Sequence, residues 1–455
     1  MKKSISILLL FSYLFISSFT CYAEDTNSDD FGKFTTFYYL NPQPQRLPVV
    51  LKNFLNSEML SDEQTCDDYC KEICSYFFAR AARSKGNIIG KYQSLFESGT
   101  HKQRLFVLKI LQLCGNNRTK MFLKSKLKDQ TFAGEKTQIQ QALQQGVPTR
   151  FNPISKPITE AGNLDLLWVE FMTTGNSKAI KRIISVLHWL EDGKGMQIII
   201  AGAAKWSLTS NCKQHKKVLE ICKRQWSEQR WPTKKILREI VAEVDNSAIA
   251  DYLADKKMKK IVTRNITPGV EKEPFSTLPL TSYLFSDKYG RIEEQLDEKL
   301  QLQGLIIINT PDIWMVNLRN KTGKHLVDFD PNSSFHSPII SGLDTKDNLS
   351  KLEYGQELEF MKKNNAQVSQ IEIEKKNYDL YSLEMLGTKI ELIVKKVKQV
   401  PHIVRVFKDQ KIILAIAYDE YNTNLKPDLS LFDPPEDIKI VEVSTDPNQA
   451  TEHEF

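Results

Sequence analysis

Between Asp251 and Phe275 the chain changes character: Ala254-Asp255-Lys256-Lys257-Met258-Lys259-Lys260 reads as a basic tail to a last helix, and Pro268-Gly269 with Glu271-Lys272-Glu273-Pro274 reads as a linker. Upstream of this stretch the apolar residues recur with a helical period. Downstream they alternate, or run in short blocks bounded by glycine and turn residues. The switch of period predicts an α+β chain of two domains. The expected divisions are a signal peptide at 1–23, a helical domain at 24–254, a linker at 255–275, an antiparallel β domain at 276–444 and a flexible tail at 445–455.

In the upstream half, from Pro48 to about Leu253, segments are bounded by Gly, Pro, Asn and Asp. Ala179, Ile180, Ile183, Ile184, Leu187 and Leu190 fall on a 3.6-residue period, and Leu105, Leu108, Ile110 and Leu111 make a similar stripe. Such amphipathic helices must bury their faces against each other, as a bundle or an irregular helical-repeat domain. A period of about 34 residues, the tetratricopeptide spacing, is not found. Pro148, Pro153 and Pro157 mark a loop expected to divide the helices into two sub-bundles.

In the downstream half, Leu305-Ile306-Ile307-Ile308, the turn Asn309-Thr310-Pro311-Asp312 and the strand Ile313 to Leu318 make a hairpin. Lys321-Thr322-Gly323-Lys324 turns the chain into His325 to Phe329. Ile390, Leu392 and Val394 alternate with Lys389, Glu391 and Lys395, so one face of that strand is apolar. Ile403 to Phe407 and Ile412 to Tyr418 continue the meander around Lys408-Asp409-Gln410, a helix spans Leu352 to Met361, and Pro434-Pro435 precedes a last strand at Ile438 to Val443. The pattern predicts a curved antiparallel sheet carrying one covering helix.

Composition limits the function classes. With 455 residues, 41% hydrophobic and 26% charged, the chain is neither disordered nor fibrous. Its formal charge of +6 is too evenly balanced for a polyanion-binding face, so nucleic acid is not an expected partner. Two of the basic residues, Lys2 and Lys3, open an N-terminus that continues as an apolar run from Ile5 to Phe19 and then Cys21-Tyr22-Ala23. This is the pattern of a bacterial secretory signal peptide cut after Ala23. The run is shorter than the roughly 18 to 20 apolar residues of a membrane anchor. Lipidation of Cys21 is the other reading, but Ser18-Phe19-Thr20 lacks the Leu and the small residue that a lipobox carries. No later segment reaches membrane-spanning length. The expectation is therefore a soluble mature chain exported to the periplasm.

Cys66, Cys70, Cys74, Cys114, Cys212 and Cys222 remain after that cut, all of them in the helical half, and export makes each a disulfide candidate. Cys66, Cys70 and Cys74 recur every four residues, along one helical face. Cys66 and Cys74 would stand about 12 Å apart by helical rise, too far to bond, so at least one of the three is expected to bridge to another helix. A zinc site would need shorter Cys pairs from two segments and has no His nearby, so no metal is expected.

The C-terminal half, Leu280 to Val443, resembles the outer-membrane lipoprotein carrier fold, the LolA/LolB-like group. The residues that carry the resemblance are Gly304 to Asn317, Val400-Pro401-His402-Ile403-Val404, and the ending from Leu425 to Val443 with Leu431-Phe432-Asp433-Pro434-Pro435. The resemblance implies an incomplete barrel that holds acyl chains in an apolar concavity and transfers them without breaking bonds. The N-terminal half is similar to a helical domain of uncharacterised exported bacterial proteins, through Phe37 to Pro42, Leu164 to Trp168 and Ala203 to Leu208.

No phosphate-binding glycine loop, dinucleotide fingerprint, nucleophile elbow or zinc-protease motif occurs, and no catalytic residue or cofactor is expected. His325 with Asp328 and Asp330 is the best acid/base or metal candidate, but on a strand Asp328 and Asp330 share a face that His325 does not. His188 beside Trp189 reads as an interface histidine, and His215 as a helix terminator. Asn320-Lys321-Thr322 matches a glycosylation pattern that a bacterial signal peptide makes irrelevant. Trp168, Trp189, Trp206, Trp226 and Trp231, with Tyr38 and Tyr39, read as core or as an aromatic groove for a partner peptide. In the sheet half, Ile306, Ile308, Trp314, Val316, Leu392, Val394, Ile412 and Leu414 are the side chains a lipid cavity would use, and equally those of any sheet core. The expected partner is a lipid, an acylated protein or another envelope protein. The alternatives are an envelope scaffold without a cavity, and an envelope hydrolase.

Overall fold

The computed structural model describes residues 26–61, 66–83, 85–148, 151–272, 277–294, 303–328, 334–340 and 348–443. The signal segment 1–23 with Cys21, the tail 445–455 and Asp330 lie outside the described residues. The chain divides into two compact units, Met1–Val244 and Asp245–Phe455. The seam follows Val244, whereas the helical domain was expected to end at residue 254.

The first unit is all-α. Its helices are α1 (Thr26–Thr36), α2 (Leu47–Asn56), α3 (Glu58–Ser61), α4 (Asp68–Ala82), α5 (Gly86–Ser98), α6 (His101–Cys114), α7 (Asn117–Lys126), α8 (Lys136–Gln145), α9 (Gly162–Thr174), α10 (Ser177–Ile184), α11 (Met196–Gln214), α12 (Lys216–Glu228) and α13 (Thr233–Val244). Local chemistry sets the ends. Asp67 and Asn116 accept from the backbone N–H groups of Cys70 and Thr119, and Thr100 with Gln103 forms a reciprocal capping box. Gly115 and Gly175 stop α6 and α9 at φ 64° and 66°, in the left-handed region glycine enters without a Cβ clash. The core joins α1, α2 and α4–α8, with Leu47, Leu51, Phe78, Ile88, Tyr92, Phe96 and Ile110 fully enclosed. α9 packs on α4, and Arg80 clasps Glu170 through Nε (2.6 Å) and a second nitrogen (2.8 Å). Phe151 and Leu166 contribute to this core, while the buried side chains of α10–α13, Ile180, Leu208, Cys222 and Leu237 among them, are not part of it. The stripe from Ala179 to Leu190 is broken: α10 ends at Ile184 and a 3₁₀ turn covers Leu187–Leu190.

The second unit opens with helix α14 (Asn246–Leu253) and is dominated by one sheet of twelve strands: β1 (Met258–Asn265), β2 (Leu280–Ser286), β3 (Tyr289–Glu294), β4 (Gly304–Asn309), β5 (Asp312–Asn317), β6 (Thr322–Val327), β7 (Gln367–Ile373), β8 (Lys376–Met385), β9 (Thr388–Lys395), β10 (Val400–Lys408), β11 (Lys411–Leu425) and β12 (Lys439–Glu442). Their order is β12-β6-β5-β4-β3-β2-β1-β11-β10-β9-β8-β7, so the sheet is open. Among the described residues every pairing is antiparallel except β12 on β6, which is parallel. Helix α15 (Glu357–Lys363) starts later than the helix expected from Leu352.

The expected linker contains an internal strand. β1 lies between β2 and β11, with Met258, Ile261 and Thr263 buried and basic residues among them. Those charges are matched across the ladder: Lys260 reaches Glu420 at 2.6 Å, and Arg264 holds Asp419 at 2.6 and 2.9 Å. Cross-strand ion pairing lets a lysine-rich segment sit inside a sheet, where a composition-based reading sees a solvated tail.

Candidate functional site

Because directly opposed residues on paired strands share a face, the registers sort the sheet into two sides. One side carries α15. Beneath that helix, Leu392, Val394, Val404, Ile416 and Ile261 pack with Leu352, Phe360 and Met361, while Leu414 contacts the cluster from its edge. This part of the face is filled by the chain itself. Further along the same face, Ile292 on β3 opposes Ile306 on β4, which opposes Met315 on β5, which opposes Lys324 on β6, which opposes Val441 on β12. Here a groove of about 510 Å³ is walled by Ile292, Ile306, Met315 and Val441, with Glu294, Asn317, Thr322 and Lys324 as its polar members. Met315 and Val441 are 49% and 56% exposed, so the groove is open to solvent.

The other side of β3–β6 is a second core. Leu305 opposes Val316, and Ile307 opposes Trp314, so these side chains turn to the opposite face, although Leu305 and Val316 still take part in the groove's lining. The C-terminal crossover covers this side: Phe432 stacks near Tyr289 and Phe285, the Asn309 side-chain amide donates to the Phe432 carbonyl, and Arg291 donates to the Leu431 carbonyl. The eight residues expected to line one lipid cavity are therefore divided. Ile306 lines the open groove, and Ile308 lies on the same face. Trp314 belongs by its side chain to the opposite core; the Val316 side chain turns the same way, yet Val316 is among the residues that line the groove. Leu392, Val394 and Leu414 sit under α15. A bulge between Ile412 and Leu414 sets Ile412 across from Phe407 rather than from a residue of the Leu414 side. The run Leu305 to Ile308 is apolar on both faces, and only the register shows which members face outward.

The polar clusters are elsewhere. His325 is joined not by Asp328 but by cross-strand neighbours: Nε2 lies 3.1 Å from Asp312 and Nδ1 2.7 Å from Glu442, while Trp314 stacks on the ring at 4.9 Å. Burial works against the charged form, yet the two carboxylates outweigh it and raise the imidazole pKa above its usual value. Both ring nitrogens are engaged, so the cluster ties β12 and β5 to β6 rather than offering a free base. Glu357 at the start of α15 is fully enclosed; Gly355 N–H and the hydroxyls of Tyr418 and Tyr421 donate to it at 2.8 to 2.9 Å, and burial raises its pKa. In the helical unit, burial pushes Asp165 up to about 6 although the Tyr69 hydroxyl donates to it at 2.6 Å. His215 terminates α11 as expected, but it is also enclosed by Phe37, Tyr39 and Phe171, and burial lowers its pKa to about 4.

Trp168 and Trp226 are buried, and Trp189, Trp206 and Trp231 are half-buried. Cys66, which precedes α4, is bonded to Cys70, so the expected bridge from this stripe to another helix is not made; Cys74, Cys114, Cys212 and Cys222 are buried thiols. Among the described residues no group of three or more His, Cys, Asp or Glu is arranged to hold a metal ion, and no helix is long and apolar enough to cross a membrane.

No family model and no curated protein matches the chain. Among solved structures it is similar to an uncharacterized conserved protein from Thermus thermophilus, at 11% identity over 44% of this chain and 99% of that one, with a TM-score of 0.27. It is also similar to PNGF-II, at 12% identity over 41% of this chain and 32% of that one, with a TM-score of 0.21. Likenesses at these scores bear on neither fold nor activity.

Proposed function

We propose that the protein is a non-enzymatic binding protein of the bacterial periplasm, whose sheet unit takes a lipid, an acylated protein or another apolar ligand and whose helical unit engages a protein partner. The observation that carries this reading is the groove formed by Ile292, Ile306, Met315 and Val441, an apolar trough on a face whose other part is filled by α15. Its volume of about 510 Å³ lies within the range of small-ligand sites. Glu294 and Lys324 supply polar contacts for a head group. Secretion rests on the sequence pattern of residues 1–23.

The test is binding of a fluorescent fatty acid, paired with mass spectrometry of lipids extracted from the purified protein. Ile306→Glu places a charge in the trough and is expected to weaken binding at least tenfold with the melting temperature held. Absence of both bound lipid and fatty-acid binding would sink the ligand reading. The filled region under α15 favours a second reading, an envelope scaffold whose sheet is purely structural. One stoichiometric partner captured through residues 24–244, together with an empty groove, is the outcome that selects it.

A further inference from the structure

α11 and α12 are joined by the single residue His215 and fold back on each other. Close to that junction each helix presents one cysteine to the other: the sulfur of Cys212 lies 3.6 Å from that of Cys222. Both are enclosed, at 3% and 0% exposure. Cys114, by contrast, has the Ala79 carbonyl beside its sulfur at 3.9 Å. A disulfide needs its sulfurs at about 2.05 Å, so the pair must close by roughly 1.5 Å, within the reach of small side-chain rotations. Two thiols brought together at the turn of a helical hairpin, with no polar group separating them, are placed as reaction partners.

We propose that Cys212 and Cys222 form an intramolecular disulfide that staples α11 to α12 when the chain folds in the presence of a small-molecule disulfide such as oxidised glutathione. In the first step one cysteine thiolate attacks the oxidant's S–S bond, releasing one glutathione thiol and leaving a mixed disulfide. In the second, the other cysteine thiolate attacks the protein sulfur of that mixed disulfide and expels the second glutathione. The protein loses two protons and two electrons, and one oxidised glutathione becomes two thiols. Because neither sulfur meets solvent in the folded unit, the exchange belongs to folding. The finished bond is then shielded from reductants by the helices it joins. This inference is independent of the ligand reading.

The test uses the full chain, reduced and unfolded, then refolded in a buffer of oxidised and reduced glutathione. It is alkylated in denaturant without reductant, digested, and its peptides are weighed. The expected result is the Cys212 peptide joined to the Cys222 peptide, in a protein that resists reductant until denaturant is added. An alkyl group or glutathione on either cysteine, or Cys212 joined to a different cysteine, overturns the proposal. The double variant Cys212→Ala, Cys222→Ala supplies a second readout. Refolded in the glutathione buffer it is expected to melt about 5 °C or more below the parent, and the gap should shrink when both are refolded fully reduced. A gap of equal size under both conditions overturns the staple.

Discussion

His325 and His215 show how little of a histidine's role is written beside it. His325 meets Asp312, 13 positions away, and Glu442, 117 positions away, because β5, β6 and β12 are adjacent; Asp328 and Asp330 are the partners its sequence neighbourhood offers, and Asp330 lies outside the described residues. The strand alternation that separates His325 from Asp328 is legible in the sequence, and the register that supplies Asp312 and Glu442 is not. The two histidines also respond to pH in opposite senses. The folded pKa of His325 is raised, so its stabilisation is complete below the unfolded value of about 6.5 and is lost as pH rises through the folded one. The folded pKa of His215 is lowered to about 4, so its neutral form costs nothing above about 6.5, and stability drains away from there down to pH 4. His215 is 1% exposed, and the full effect is on the order of 3 kcal/mol. Denaturant midpoints of the helical unit between pH 7 and pH 4 are expected to fall for the parent and to flatten for His215→Gln. An unchanged slope in the variant would count against burial as the cause.

At the level of elements, helix ends and hairpin turns were the readable part, since their chemistry is local. That Gly, Pro, Asn and Asp bound the helical segments is legible as a pattern, and the structure picks out Gly115, Gly175, Asn116 and Asp67 as the particular stops and caps. Three hairpins of the sheet turn on pairs of residues with positive φ: Glu374-Lys375, Leu386-Gly387 and Asp409-Gln410. Leu386 is the poorest fit among them, a leucine at φ 55° with 71% of its surface exposed. It has left-handed strain and little packing to offset it. Leu386→Asn is expected to stabilise the sheet unit by about 0.5 to 1 kcal/mol in chemical denaturation. A loss of stability would mean that the leucine makes a contact worth more than its backbone strain. The faces of the strands were not legible. Ile306 and Ile307 are chemically alike, and one lines an open trough while the other is sealed under the C-terminal crossover.

For the whole molecule, the division into a helical and a sheet unit could be read from hydrophobic period, but its position could not. β1 hid behind lysines whose partners, Glu420 among them, lie some 160 residues downstream. A fragment of residues 245–455 is expected to give a cooperative melt and dispersed amide signals. A fragment starting at 276, where period alone would begin the domain, lacks the strand between β2 and β11 and is expected to fail both tests. Equal folding of the two fragments would show that β1 is dispensable. The same placement orders events in time. During synthesis β1 emerges well before residues 411–425, so one of its hydrogen-bonding edges must wait, unpaired, for most of the sheet to be made. That is a high contact-order arrangement, slow to complete and exposed to pairing between neighbouring nascent chains. Lys259, Lys260 and Arg264 are then gatekeepers, repelling a second copy of the same edge until the acidic strand arrives, and Lys260 and Arg264 become ion-pair donors once it does.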